Sequence, residues 1–166
     1  MPADIEALIE ILDHSEQGYR RLLAVLQEEK QAALSSTPDR LSTIIEEKAI
    51  LMAELGRTER KRQLLLHGIS AAWKIPAEHL RLSMLADKAN AAQASKIEQL
   101  SVSLRDLVTR TKKANDENRL LVRHCLRIVN SAIGFFKHWV LPTDVYGASG
   151  RLTAHNNSGK LVSGAV

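Results

Sequence analysis

The run SKIEQLSVSLRDLVTRTKKANDENRLLVRHCLRIVNSAIGFFKHWVL, residues 95–141, decides the fold. Within it Ile97, Leu100, Leu104, Leu107, Thr111, Ala114, Asn118, Leu121, Cys125, Ile128, Ala132, Phe135 and Trp139 follow at steps of three and four. That is the period of one helix face. At ~1.5 Å of rise per residue the run makes a helix roughly 70 Å long. A chain of 166 residues cannot enclose such a helix in a globule. The spacing therefore predicts an all-α fold, an elongated antiparallel helical bundle or coiled coil with one very long C-terminal helix.

A second stripe, Val122, Leu126, Val129, Ile133, Phe136 and Val140, lies one position along from the first. Earlier in the run the matching positions are Ser101, Val108 and Asn115, mostly polar. The apolar face thus widens after residue 118. A narrow seam satisfies one partner helix, and a wide face needs two. The chain's own first two helices can supply both, or a segment of another protein can supply one.

Upstream, Ile5, Leu8, Leu12, Tyr19, Leu22, Leu26 and Ala33 keep the same spacing, with Ser15 and Glu29 in the two polar slots. Gly18 inside this helix costs about 1 kcal/mol relative to alanine. Thr37-Pro38-Asp39 restarts the chain as N-cap, first helical residue and an acid at the positive helix end. A second helix carries Leu41, Ile44, Ile45, Leu51, Met52, Leu55, Leu65 and Leu66, and His67-Gly68 is expected to end it. The short link makes the two helices antiparallel neighbours. The expected organisation is a helical hairpin over 3–67, a connector with a short helix over 69–93 opened by Pro76, and the long helix over 95–141. Together these form one bundle domain, 1–141. Pro142 stops the last helix, and the Gly-, Ser- and Asn-rich residues 142–166 read as a flexible tail.

Composition agrees. The chain is 45% hydrophobic but only 4% aromatic, which favours helices over a β-sandwich. One cysteine excludes an internal disulfide framework and a Cys-rich zinc module. No stretch approaches the 18 apolar residues of a membrane span. Acids rather than Lys or Arg follow Met1, unlike a signal peptide, so the expected location is cytoplasmic. The net charge of +4 is uneven: residues 1–36 carry −4 and residues 76–141 carry +5. These segments can lie beside each other in one fold. The densest basic cluster, Arg57, Arg60, Lys61 and Arg62, has no interleaved aromatics and reads as a solvated helix face. Nucleic acid is not an expected partner.

Catalytic and metal patterns are absent from the sequence. The histidines lack ligand spacing, and no glycine-rich phosphate loop follows a strand. His124 and Cys125 are consecutive, about 100° apart on a helix, and so form a poor dyad. Neither an enzyme nor a cofactor nor a metal site is expected. Asn118 in the first stripe and Asn115 in the second have two readings, a register or partner determinant or a hydrated break.

Two blocks carry a family resemblance. Ile44-Ile45-Glu46-Glu47-Lys48-Ala49-Ile50-Leu51-Met52-Ala53-Glu54-Leu55, followed by Arg60-Lys61-Arg62-Gln63-Leu64-Leu65, resembles the second helix of FlgN-type flagellar export chaperones. Asn115-x-x-Asn118-x-x-Leu121, then Tyr146-Gly147-Ala148-Ser149-Gly150 after the long helix, is similar to the later part of that family. The resemblance implies a cytosolic, all-helical chaperone of flagellar type III export. Its clients would be the C-terminal helical segments of hook-associated (hook–filament junction) proteins, kept from premature assembly or degradation and brought to the export gate. Tyr146, with Gly147 and Gly150, matches the motif expected to dock at the gate membrane protein. From the wide face, Val122, Leu126, Val129, Ile133 and Phe136 are the expected client contacts. The protein would act as a monomer or weak dimer, without membrane insertion. The rival expectation is a homodimeric coiled-coil structural or adaptor protein.

Overall fold

A computed structural model describes residues 2–35 and 37–140, with side chains for 4–35, 37–76 and 78–137. All of its regular structure is helical. Four α-helices run in order: α1 (Pro2–Leu34), α2 (Pro38–Trp73), α3 (Leu82–Ala86) and α4 (Ala91–Val140), with a 3₁₀ turn at Ala77–His79. The chain divides into two units, 1–122 and 123–166, each taken separately below.

In the first unit α1 and α2 form the expected antiparallel hairpin. Glu28 faces Arg40, Glu29 faces Lys48, and Arg21 faces Glu54. From the pairs at Arg40 and Lys48 to the one at Glu54, numbers rise on α2 as they fall on α1. Against α4 the order is parallel: Asp13 pairs with Lys96, Glu16 with Ser103 and Lys30 with Glu117. The reversal comes from the connector between α2 and α4, which carries the chain back so that α4 starts beside the early turns of α1.

The link at residues 35–37 is tight. Thr37 occupies the N-cap of α2 and Pro38 the first helical position, as the sequence predicts. The threonine hydroxyl, however, makes no capping bond and donates back to the carbonyl of Ala32 at 3.4 Å. Ser35 likewise donates to Gln31 O at 2.8 Å, so the hydroxyls finish α1 rather than start α2.

α1 buries more than one stripe. Ile5, Leu8, Leu12, Leu22 and Leu26 are buried as expected, but so are Leu23, Val25 and Ala32, while Tyr19 and Ala33 are half-buried. The reason is that α1 meets two neighbours. Val25 and Ala32 pack with Ile44, Leu51 and Leu41 of α2, while Leu8 and Leu12 join Ile69, Leu85 and Leu100 in a core that includes α4. At Gly18 a methyl group would stand 2.7 Å from Leu55 Cδ2, so the glycine lets α2 approach closely. On α2, Ile45 and Met52 are exposed rather than packed, because Ile44 and Leu51 already fill the side toward α1.

His67-Gly68 does not end α2, which continues to Trp73. One glycine weakens a helix by only about 1 kcal/mol, and Ile69 just beyond it is buried in the core. The stop is Lys74, in the left-handed region at φ 56°, with Ile75 N–H donating to Ser70 O and Ser70 Oγ donating to Ile75 O. A Schellman-like end of this kind satisfies carbonyls the helix leaves open.

The connector is built rather than loose. Leu85 of α3 is 1% exposed and sits among Leu8, Leu12, Ile69 and Leu100. Lys88 Nζ lies 5.3 Å from the Trp73 ring centroid. α4 then starts at Ala91, earlier than residue 95. Gln93 N–H donates to Asn90 Oδ1 at 2.9 Å, and the Gln93 side chain accepts from Asn90 N–H at 3.3 Å. That reciprocal pair is a capping box.

In the second unit the described residues, 123–140, are all α4. Residues 142–166, with the expected tail, lie outside the described residues.

Candidate partner-binding face

Two polar features fix how α4 sits in the first unit. Asn118 is 3% exposed, and its Nδ2 donates to Leu26 O at 2.7 Å and to Glu29 Oε2 at 2.8 Å. Lys48 Nζ donates to both oxygens of the same carboxylate, at 2.9 and 2.8 Å. One residue from each of α1, α2 and α4 therefore meets at a buried point. Of the two readings for Asn118, the register determinant is what the geometry provides, within the chain itself. Glu29, assigned to a polar slot by its spacing, is buried with it. The second feature is Glu16, which accepts from Arg20 at 2.8 Å and from the Ser103 hydroxyl. The Arg20 guanidinium, then Ser103, hold its carboxyl below the usual glutamate range.

Beyond Asn118 the character of α4 changes. Val122, the last residue of the first unit, is half-buried. In the second unit Leu126 is 56% exposed, Val129 52%, Ile133 48% and Phe136 63%. The first stripe is equally bare here: Ile128 is 57% exposed and Phe135 67%, with Cys125 half-buried. The Phe135 and Phe136 rings meet edge to face, centroids 6.2 Å apart. Large apolar groups gathered this way mark interaction surfaces, whereas single exposed ones are ordinary. The expected client contacts thus share one helix with two further residues, Ile128 and Phe135. Their signal was the first stripe itself, whose three-and-four steps run on past Asn118.

Charge on this stretch has one sign. Between Glu117 and Asp144 the sequence holds Arg119, Arg123, Arg127 and Lys137 and no acid. At ~100° per residue, Arg123, Asn130 and Lys137 form a row bordering Leu126 and Ile133.

Other candidates come to less. Arg62, from the basic cluster, is bonded to Glu59 at 2.7 Å. Arg57 and Lys61 line a cleft of about 300 Å³ between α1 and α2, where Arg21 lies 3.6 Å from Glu54. Among the described residues no three His, Cys, Asp or Glu side chains gather as a metal site. No helix among them is long and apolar enough to cross a membrane. Tyr146, Gly147 and Gly150 lie outside the described residues.

The bare apolar stretch of α4 in the second unit is a candidate surface for a partner. The chain belongs to the FlgN family, a family of flagellar chaperones: the model for "FlgN protein" matches residues 1–154. No curated protein and no solved structure gives a significant match.

Proposed function

We propose that this protein is a cytoplasmic flagellar type III export chaperone. It binds the C-terminal helical segments of hook-associated proteins, keeps them from premature assembly or degradation, and delivers them to the export gate. The family match supports the chaperone role. The observation that carries the binding site is the exposed run Leu126, Val129, Ile133 and Phe136, with Val122 ahead of it.

The recognition mode is a helix laid along an apolar helix face. Burying one Leu- or Phe-sized side chain is worth roughly 1.5–3 kcal/mol. Three or four such contacts support micromolar binding after the cost of ordering the client. Val129→Asp and Phe136→Ser are expected to weaken binding of a client C-terminal peptide at least tenfold while leaving the helical circular dichroism intact. Unchanged affinity would remove these residues from the site.

Delivery is assigned to Tyr146 with Gly147 and Gly150, on the strength of the family motif. An aromatic followed by glycines beyond a helix suits a partner's pocket. Tyr146→Ala should reduce binding to the gate protein without changing client affinity. Equal gate binding by both forms would place docking elsewhere.

A further inference from the structure

We infer that the outer face of α2 is a self-association surface, on which a second copy of this chain lays its own α2 antiparallel. Ile45, Ala49 and Met52 are exposed and Gly56 half-buried, at steps of four, three and four. They form one stripe, about a third of a turn round α2 from Ile44 and Leu51, which pack toward α1. Exposed apolar side chains are ordinary taken singly, and the charges beside this stripe select its occupant. Some charges of α2 are met within the chain: Arg40 by Glu28, Lys48 by Glu29, Glu54 by Arg21, and Glu59 and Arg62 by each other. The others up to Gln63 are sorted along the helix, with Asp39, Glu46 and Glu47 first and Arg57, Arg60 and Lys61 after them.

Glu46 and Arg57 are both exposed, and among the described residues neither has an ion-pair partner. They stand three turns apart, within about 20° of each other on one flank of the stripe. A two-fold axis crossing α2 near Met52 keeps that flank on the same side in both copies. Glu46 then meets the partner's Arg57, and Arg57 the partner's Glu46. Met52 packs on the partner's Met52 at the axis. Ile45 comes over the turn at the partner's Gly56, where a Cβ would meet nothing within 4 Å. An acidic partner or an anionic lipid surface is drawn to one half of this face and repelled by the other, and a basic partner the reverse. A face with the same sorting, reversed end to end, meets both halves with opposite charge, and the chain's own α2 is such a face. The stripe is short, well under the ~800 Å² per partner of a standard interface, so the dimer is weak, with Kd about 10–100 µM.

The test is sedimentation equilibrium of the full chain from about 5 to 500 µM, in about 50 mM NaCl. The unaltered chain is expected to dimerise, and about 500 mM NaCl to weaken the dimer several-fold. Met52→Asp should abolish it; the position is exposed, and helical circular dichroism checks the fold. Glu46→Arg and Arg57→Glu should each weaken self-association at least about tenfold, because each puts like charges together twice. The two single variants, mixed, should form a heterodimer, since each then faces opposite charge at both pairs. Glu46→Arg/Arg57→Glu should return to within about threefold of the unaltered chain. A chain that stays monomeric at every concentration overturns the inference. So does a dimer indifferent to Met52→Asp, or one lost in Ile133→Asp instead, which would move self-association to α4. A dimer lost in Met52→Asp, with single variants that fail to pair, overturns the antiparallel register.

Discussion

The carboxylate of Glu29 takes both of its oxygens to the ammonium of Lys48, at 2.9 and 2.8 Å, with little of either side chain in water. Asn118 adds a third hydrogen bond to it from α4. A buried ion pair of this kind adds little net stability, because desolvating the charges offsets their attraction. Removing one partner alone is expensive. Lys48→Met is expected to cost about 2–4 kcal/mol, less than for a fully enclosed pair because the lysine is partly wet. Glu29→Met/Lys48→Met should recover most of that loss. Urea unfolding of the three proteins measures it, and a double variant no better than the single would refute the argument.

Leu85 carries the connector's attachment to the core. With α3 only five residues long, its helix cannot stand by itself. Leu85→Ala should cost about 2–5 kcal/mol, the range for a fully buried leucine. It should also raise amide exchange across residues 74–90 more than across α1. Uniform exchange would mean that the connector unfolds only with the whole bundle.

Thr111 stands in the seam of α4 with its hydroxyl oxygen buried and without a hydrogen-bond partner. An unmet buried hydroxyl costs about 1–3 kcal/mol. Thr111→Val keeps the shape and removes the polar atom, so the thermal midpoint should rise, by the equivalent of about 1 kcal/mol. A lower midpoint would show that the hydroxyl contributes to packing or register.

Acid should loosen the bundle in a defined direction. Glu16 is held below its ordinary value of 4.5 mainly by the Arg20 bond and then by Ser103. Glu59 is lowered by Arg62 and Glu117 by Lys30. Groups whose folded pKa is depressed contribute stability above the unfolded value and lose it as pH falls through the folded one. The urea midpoint should therefore hold steady from pH 7 to about 5 and drop below about 4.5. Glu16→Gln should flatten part of that drop. The pair at Lys30 and Glu117 is exposed, so its share should shrink in high salt.

Much of this architecture is legible in the sequence where periodicity is long. The stripe from Ile97 to Phe135 has one explanation, and α4 is a single helix from Ala91 to Val140. Shorter signals were ambiguous. Gly68 looked like a stop, yet the buried Ile69 behind it outweighs a glycine's cost. Asn90-x-x-Gln93 was a readable capping box that passed unnoticed among alanines. Leu23, Val25 and Ala32 were missed because a single stripe cannot reveal that a helix touches two neighbours. The candidate face was legible as a widening of the apolar arc. Its bareness was not, since the spacing of a stripe does not say whether anything packs on it.

The point where Glu29, Lys48 and Asn118 meet has a consequence for descent. The acid and the amine satisfy each other there, while the amide also has the Leu26 carbonyl, so neither charge can change alone without stranding the other. Across divergent relatives the glutamate and lysine positions should be inherited or replaced together. A lineage that loses the lysine should be found to have lost the glutamate too.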